Sequence, residues 1–161
     1  MRAIILSDSH GDVRACMRAI EAMSPCDMII HLGDIQRDVD FIKKEYPDIP
    51  VFSVMGNNEL FFCGKTEDVV QFGDYRLFIC HGHTFGVHRG TQRLEEAALK
   101  NGCCAALFGH THIPVFEKTE DGLLLVNPGS VSRPRRGCES FAVLETDGGS
   151  FPDGLIVDWV I

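Results

Sequence analysis

The amino-acid sequence predicts an α/β fold, on two observations. Short apolar runs typical of buried strands alternate with amphipathic stretches of helical period through the first half of the chain. The second half has more strand candidates and short turns, at Glu120–Gly122 and Asp147–Gly149, which favours a more antiparallel sheet there. Residues 1–161, with 45% hydrophobic content, are expected to form one domain with its own core.

Strand and helix alternate in the predicted first half. In chain order the elements are a strand at Arg2–Leu6, a helix at Val13–Met23, a strand at Met28–His31, a helix at Val39–Glu45 and a strand at Val51–Val54. Ser24-Pro25 ends the first helix, and Pro47 and Pro50 follow the second. Strands joined through helices pair in parallel, with right-handed crossovers.

The second half contains one clear helix, Thr91–Lys100. Its predicted strands are Asp68–Phe72, Tyr75–Cys80, Ala105–Phe108, Val115–Lys118, Leu123–Val126, Phe141–Glu145 and Leu155–Val160. The apolar C-terminal segment Leu155–Ile161 is expected to be a core strand, and the edge of a homodimer is the alternative.

Charge and hydropathy exclude several classes of protein. The apolar runs fall short of the roughly 20 residues that a membrane span needs, and Asp8, His10 and Asp12 interrupt the N-terminus too early for a signal peptide. A cytoplasmic protein without membrane contact is therefore expected. The formal charge of −8 argues against binding to duplex nucleic acid, which depends on Lys and Arg.

Polar residues follow five of the predicted strands directly. They are Asp8-Ser9-His10, His31-Leu32-Gly33-Asp34, Gly56-Asn57-Asn58-Glu59, His81-Gly82-His83 and Gly109-His110-Thr111-His112. Open α/β sheets bind ligands at the carboxyl ends of their strands, so these loops are expected to converge. One such residue alone is more often a turn, cap or satisfied polar group, and the prediction depends on the whole set.

The chemistry of this set indicates a metal centre. The i, i+2 spacing in Asp8-Ser9-His10 and His110-Thr111-His112 points both side chains of an extended segment to one side. Carboxylates mixed with imidazoles suit Mn²⁺, Fe²⁺, Zn²⁺, Co²⁺ or Ni²⁺. The set is too large for one tetrahedral site, which favours two ions ~3.5–4 Å apart, with Asp34 as the bridge. Gly33, Gly56 and Gly109 allow the backbone to turn beside the proposed ligands.

These motifs resemble the calcineurin-like metallophosphoesterase superfamily. Its pattern of Asp-x-His, Gly-Asp, Gly-Asn-His-Asp/Glu, His and Gly-His-x-His corresponds in order to the five loops. The stretch Asn127–Pro134 is similar to one found in the small bacterial and archaeal phosphodiesterases of this superfamily. The resemblance implies a four-layer α/β/β/α sandwich of two mixed β-sheets flanked by helices.

The resemblance also implies a ligand set for two divalent transition-metal ions, with Mn²⁺ expected first. One ion would be held by Asp8, His10, Asp34 and His112. The other would be held by Asp34, Asn57, His81 and His110. A hydroxide between the ions would attack a small phosphodiester in line.

Position 58 departs from the superfamily pattern. Asn58 stands where many members have histidine, and an amide cannot act as a general acid near pH 7. The small phosphodiesterases similarly lack this histidine, which favours a phosphodiesterase. Asp34, Asn57, Asn58 and His83 form the expected catalytic set, although a structural loop role for His83 is about equally well supported. The motif offers Asp38 no role and leaves that of Glu59 open.

Several polar residues keep two interpretations. His31 either supports the ligands or ends a strand, and His88 is expected to be a solvated loop residue. Of the basic cluster Arg133, Arg135 and Arg136, at least two are expected to be plain surface charge, although guanidinium groups suit phosphate.

Two other functions stay open beside the phosphodiesterase. One is a phosphomonoesterase or nucleotide phosphatase. The other is a noncatalytic scaffold on the same fold, as in a related retromer subunit that lacks a complete set of metal ligands. The complete set of candidate ligands in this chain favours an enzyme.

Overall fold

The computed structural model describes residues 1–59 and 64–146, and the backbone of the strand Leu155–Val160. In chain order the elements are β1 (Arg2–Leu6), α1 (Val13–Met23), β2 (Met28–His31), α2 (Gln36–Glu45), β3 (Val51–Ser53), β4 (Glu67–Phe72), β5 (Tyr75–Cys80), a 3₁₀ helix (His83–Phe85), α3 (Gln92–Lys100), β6 (Ala105–Leu107), β7 (Val115–Lys118), β8 (Leu124–Asn127), β9 (Phe141–Thr146) and β10 (Leu155–Val160). Among the described residues, no helix has the length and apolar character needed to cross a membrane.

Two mixed five-stranded sheets form the centre of the fold. The first sheet has the order β10-β9-β1-β2-β3, and the second has the order β4-β5-β6-β8-β7. Strands β1, β2 and β3 are parallel, and so are β5, β6 and β8. Among the second-half strands, β4 with β5, β7 with β8 and β9 with β10 are antiparallel, so the expectation of a more antiparallel second half is confirmed. The parallel strands β5, β6 and β8 in its sheet were not expected. The loops after β5 and β6 are long enough for parallel crossovers, and β9 returns to pair with β1 in the first sheet.

Three apolar clusters separate four layers. The central cluster joins the facing sides of the two sheets, with Ile5 and Ile30 from the first sheet and Leu77 and Leu107 from the second. A second cluster packs α1 against the outer side of the first sheet, and a third packs α3 against the outer side of the second. The predicted α/β/β/α sandwich of two mixed sheets flanked by helices is confirmed.

Most element boundaries lie within one residue of the prediction, and two features differ. Helix α2 begins at Gln36 rather than at the predicted Val39. The sequence did not indicate this start, because the N-cap residue, Ile35, makes no side-chain hydrogen bond to the helix. The 3₁₀ helix at His83–Phe85 was not predicted. The C-terminal strand β10 lies at the edge of the first sheet, paired with β9. The turn expected at residues 147–149 lies outside the described residues.

Candidate metal centre

The carboxyl ends of the parallel strands meet where the two sheets face each other. Hydrogen bonds join loops from different sheets: for example, the backbone N–H of His110 donates to Asp8 Oδ2 over 2.9 Å, and Nδ1 of His81 donates to the carbonyl oxygen of Leu32 over 2.8 Å. The predicted convergence of the loops that follow β1, β2, β5 and β6 is thus what the structure has.

Asp8 is a buried carboxylate with one satisfied oxygen. Its Oδ2 accepts hydrogen bonds from Ser7 Oγ and from the backbone of His110. Its Oδ1 has no hydrogen-bond partner among the described residues, and lies 3.2 Å from Nε2 of His112 and 3.9 Å from Nε2 of His81. Burial raises the pKa of Asp8, but the close contact with His112, the neighbouring His81 ring and the hydrogen bond from Ser7 outweigh it and lower the pKa overall.

His112 and His10 complete a first group around Asp8. Nδ1 of His112 donates to the carbonyl oxygen of Arg133 over 2.6 Å, which leaves Nε2 facing Asp8 and, at 3.0 Å, Nε2 of His10. The close contact with the Asp8 carboxylate raises the pKa of His112, whereas burial lowers that of His10. Asp8, His10 and His112 offer ligand atoms that all lie within 4.8 Å of one another.

His81 belongs to a second group with Asp8 and Asp34, whose ligand atoms also lie within 4.8 Å of one another. Because its Nδ1 donates to Leu32, the neutral ring has its lone pair on Nε2. That atom lies 2.9 Å from Oδ1 of Asn57, which is also an acceptor. Two acceptors turned towards each other, beside a buried carboxylate, are the arrangement that a cation stabilises.

Asp34 connects the two groups, and Asp8 does so as well. One oxygen of Asp34 accepts a hydrogen bond from Nδ2 of Asn58, and the other lies 2.8 Å from Nδ1 of His10. Asp34 is fully buried. Asp8 is a member of both groups, so two carboxylates rather than Asp34 alone lie between them.

The two histidines of the Gly-His-x-His motif point to different neighbours. The His112 ring lies 4.8 Å from that of His10, whereas the His110 ring lies 5.1 Å from that of His81. The interpretation of this motif as a clamp on an extended segment is therefore wrong, because the backbone is left-handed at both histidines. Burial lowers the pKa of His110 to about 4.

His83 and His88 border the second group. The His83 ring lies 5.4 Å from that of His81, and its buried Nδ1 has no hydrogen-bond partner among the described residues. Burial lowers the pKa of His83. His88 is exposed, as expected of a loop residue, yet its ring lies 4.5 Å from that of His110, a contact that nothing in the sequence indicated.

Left-handed backbone marks the candidate ligands. Among the described residues, the non-glycine residues with positive φ are Asp8 (53°), His10 (47°), Asp34 (116°), His110 (67°) and His112 (56°). Each is one of the metal ligands expected from the sequence. This conformation costs about 1–3 kcal/mol per residue and persists where the surrounding structure holds it, most often at functional sites.

Gly109 allows the backbone of the loop after β6 to lie close to Asp8. A Cβ atom at this position would lie 2.8 Å from Oδ2 of Asp8 and would overlap the Ser7 hydroxyl. The glycine therefore lets the loop after β6 reach the carboxylate of the loop after β1.

Two contributions to the site were missed by sequence reasoning. Asp38, which was assigned no role, is buried and accepts hydrogen bonds from Ser9 Oγ and the backbone of Gly11. The sequence indicates a likeness to small phosphodiesterases and a basic cluster for the loop after β8, but not its contacts with the ligands: Ser130 Oγ donates to the carbonyl oxygen of Asp8, and the carbonyl oxygen of Arg133 accepts from His112. The parallel pairing of β6 with β8, which brings that loop to the site, was not predicted.

Buried carboxylates and imidazoles at the meeting edge of two stacked sheets are the features of a metallophosphoesterase site. Residues 1–149 match the family model of the calcineurin-like phosphoesterase superfamily domain. The chain belongs to this superfamily, whose members bind divalent metals and hydrolyse phosphoric esters.

Relatives cover most of the chain. A probable metallophosphoesterase of Bacillus subtilis, YsnB, is 31% identical over 89% of this chain and 83% of its own. The phosphodiesterase MJ0936 of Methanocaldococcus jannaschii is 29% identical over 91% and 94%. A solved structure of a Vps29 variant from Entamoeba histolytica has a TM-score of 0.74 over 99% of this chain and 98% of its own, at 17% identity, and so shares the fold.

Proposed function

We propose that this protein is a phosphodiesterase that uses two divalent transition-metal ions, Mn²⁺ being the best suited. The observation that carries the proposal is the buried Oδ1 of Asp8, which has no hydrogen-bond partner among the described residues and lies between His112 and His81. A buried carboxylate oxygen is costly to leave unpaired, and a cation bound to Asp8 would satisfy it.

The donors at hand fit such ions. Carboxylate, imidazole and amide groups together suit a first-row transition metal better than Mg²⁺. The proposed ligands of one ion are Asp8, His10, Asp34 and His112, and those of the other are Asp34, Asn57, His81 and His110. When bound, the ions would supply a water nucleophile near neutral pH and neutralise charge on the phosphate.

The groups around the ligands orient them. The backbone carbonyls of Leu32 and Arg133 accept from Nδ1 of His81 and His112, which fixes the tautomer that presents Nε2 to a metal. Asn58 donates to Asp34 and would hold that carboxylate in place. An amide at position 58 cannot protonate a departing alkoxide, which supports a phosphodiester with a good leaving group as the substrate. His83, beside His81, is proposed to contact that substrate.

A comparison of a diester and a monoester tests this function. Chelator-stripped protein is assayed with bis(p-nitrophenyl) phosphate and p-nitrophenyl phosphate, with and without Mn²⁺. We expect Mn²⁺-dependent hydrolysis with the diester preferred, loss of at least a hundredfold in Asp34→Asn, and no change in Asp40→Asn, an exposed carboxylate of α2.

Other outcomes point to other functions. Preference for the monoester would indicate a phosphomonoesterase and overturn the argument from Asn58. Failure to hydrolyse either ester in a folded protein that binds two ions would indicate a noncatalytic role, on the fold that Vps29 shares.

A further inference from the structure

A buried hydrogen-bonded chain lies next to the candidate ligands. It consists of Asp38 on α2, Ser9 in the loop after β1, and His31 at the end of β2. Asp38 is 2% exposed, and Ser9 and His31 are fully buried. None of the three is a proposed metal ligand, so the hydrolytic mechanism leaves them without a role.

The carboxylate of Asp38 can only accept, and this fixes the direction of the other hydrogen bonds among the three side chains. Oδ2 of Asp38 accepts from Ser9 Oγ over 2.6 Å and from the backbone N–H of Gly11 over 2.9 Å. Because the Ser9 hydroxyl proton is directed to Asp38, Ser9 Oγ accepts from Nε2 of His31 over 3.2 Å. Nδ1 of His31 then carries the lone pair and accepts from the backbone N–H of Gly33 over 3.3 Å.

The residues that form these hydrogen bonds are sequence neighbours of the candidate ligands with left-handed backbone. Ser9 stands between Asp8 and His10, and Gly33 directly precedes Asp34. The backbone φ is positive at all three of these ligand positions, which is an uncommon conformation for residues with a Cβ. One carboxylate thereby ties together the loops that follow β1 and β2.

We propose that Asp38 is a positioning residue for the metal centre. Through Ser9, Gly11 and His31 it holds the loop of Asp8 and His10 and the loop of Asp34 at the separation at which both carboxylates can bind the ion that they share. This inference rests on the proposed metal-dependent function. It predicts that affinity for metal falls when Asp38 is changed, although Asp38 itself touches no ion.

A purely structural role would have a different signature. Asp38 lies in the first turn of α2, where a negative charge stabilises the helix through its dipole. A residue acting only in that way affects the free energy of unfolding and leaves the metal affinity of the folded protein unchanged. Binding therefore has to be measured separately from stability.

The test uses Mn²⁺ itself as the probe. Asp38→Asn, Ser9→Ala and the control Asp40→Asn are stripped of metal, checked for folding by circular dichroism, and titrated with Mn²⁺ by calorimetry and electron paramagnetic resonance. We expect affinity 10–100-fold weaker in Asp38→Asn and Ser9→Ala, with loss of the spectrum of a coupled manganese pair, and wild-type behaviour in Asp40→Asn.

Ser9→Ala removes no charge and so separates positioning from electrostatics. Weak binding in Asp38→Asn combined with wild-type binding in Ser9→Ala would overturn the proposal in favour of a charge effect. Wild-type binding in both, even with a lower free energy of unfolding, would also overturn it. If the wild-type protein binds two Mn²⁺ ions without hydrolysing either ester, the proposed function fails, while the affinities still decide the role of Asp38.

Discussion

The backbone of Gly56 lies directly against that of Asp34. A Cβ atom built on Gly56 would lie 2.5 Å from the Cα of Asp34 and 3.3 Å from Nε2 of His81. The loops after β3 and β2 thus touch at a point where no side chain fits, and one candidate ligand comes from the other sheet to the same point. We expect this contact to set how closely Asn57 and Asp34 approach each other.

Gly56→Ala is expected to separate these loops. The added methyl group has to displace backbone atoms, so we expect a loss of about 1–3 kcal/mol in the free energy of unfolding. Displaced ligands should also weaken Mn²⁺ binding at least tenfold. Urea unfolding and calorimetric titration measure the two effects.

A suitable control is Gly122→Ala. Gly122 has a φ of 82°, and a Cβ atom at this position would have no heavy atom within 4 Å, so alanine there meets conformational strain alone. We expect a loss of about 1–2 kcal/mol in stability and unchanged Mn²⁺ affinity. Equal Mn²⁺ affinities in Gly56→Ala and the wild type would show that this contact does not set the ligand spacing.

Asp8→Asn should separate the stability of the metal-free protein from metal binding. An amide nitrogen in place of the unpaired Oδ1 would face Nε2 of His112 at hydrogen-bond distance. We expect the metal-free variant at pH 8 to match the wild type or exceed it by about 1 kcal/mol. The added stability that Mn²⁺ gives the wild type, ~2.7 kcal/mol at a hundred times its Kd, should disappear.

Urea unfolding with chelator and with Mn²⁺ measures both quantities. Retained stabilisation by Mn²⁺ in Asp8→Asn would exclude this carboxylate as a ligand. A metal-free variant that is less stable by several kcal/mol would show that Oδ1 is satisfied in the native protein without a cation.

The stability of the metal-free protein should fall in mildly acidic solution. Burial lowers the pKa of His31 to about 4, from an ordinary value near 6.5. Between these values the unfolded chain binds the proton and the folded protein does not, so unfolding becomes easier as the pH falls from 6.5 to 4. For a fully buried group this amounts to about 3 kcal/mol.

His31→Gln tests the origin of that slope. Glutamine can donate to Ser9 but does not titrate, so the free energy of unfolding should depend less on pH between 6.5 and 4. The comparison uses urea unfolding at several pH values in the presence of chelator. Identical slopes for variant and wild type would assign the pH dependence to other groups, such as His110.

The fold was largely predictable because the candidate ligands stand directly after the ends of the apolar strands. Each apolar run that became β1, β2, β5 or β6 ends at a glycine or a polar ligand candidate, so element boundaries and site residues were given by one pattern. The pairing of β9 with β1 was not predictable in this way. It depends on which sheet edge is free, a property of the assembled sheets.

At the site, the sequence predicted which residues take part but not the backbone conformation that directs their side chains. A motif such as His110-Thr111-His112 gives residue types and spacing, but the left-handed backbone that sends the two rings to different groups comes from tertiary contacts. Asp38 was missed for a similar reason. Its partner Ser9 is 29 residues away in sequence, and no local pattern distinguishes a buried acid in the first turn of a helix from an ordinary exposed one.

Two guanidinium groups beside the first group should favour anionic substrates. Burial and the charge of His112 lower the pKa of His10, and the charge of Arg133 lowers it further. Arg135 likewise opposes the increase that Asp8 causes in the pKa of His112. Both arginines are exposed, so their positive charges lie close to the site and open to solvent.

Arg133→Gln and Arg135→Gln should each raise KM for a phosphodiester about 2–5-fold with little change in kcat, because an exposed charge attracts substrate without taking part in the reaction. The carbonyl oxygen of Arg133 accepts from Nδ1 of His112, and the backbone N–H of Arg135 donates to the carbonyl oxygen of His112, so both hydrogen bonds survive the substitutions. Arg136→Gln, exposed in the same loop, is the control.

Steady-state kinetics at 0.05 M and 0.5 M salt test whether the arginines act through their charge. The difference in KM between variant and wild type should shrink at high salt, since counterions screen exposed charges. A fall in kcat that salt does not change would instead place the guanidinium in contact with the reacting phosphate.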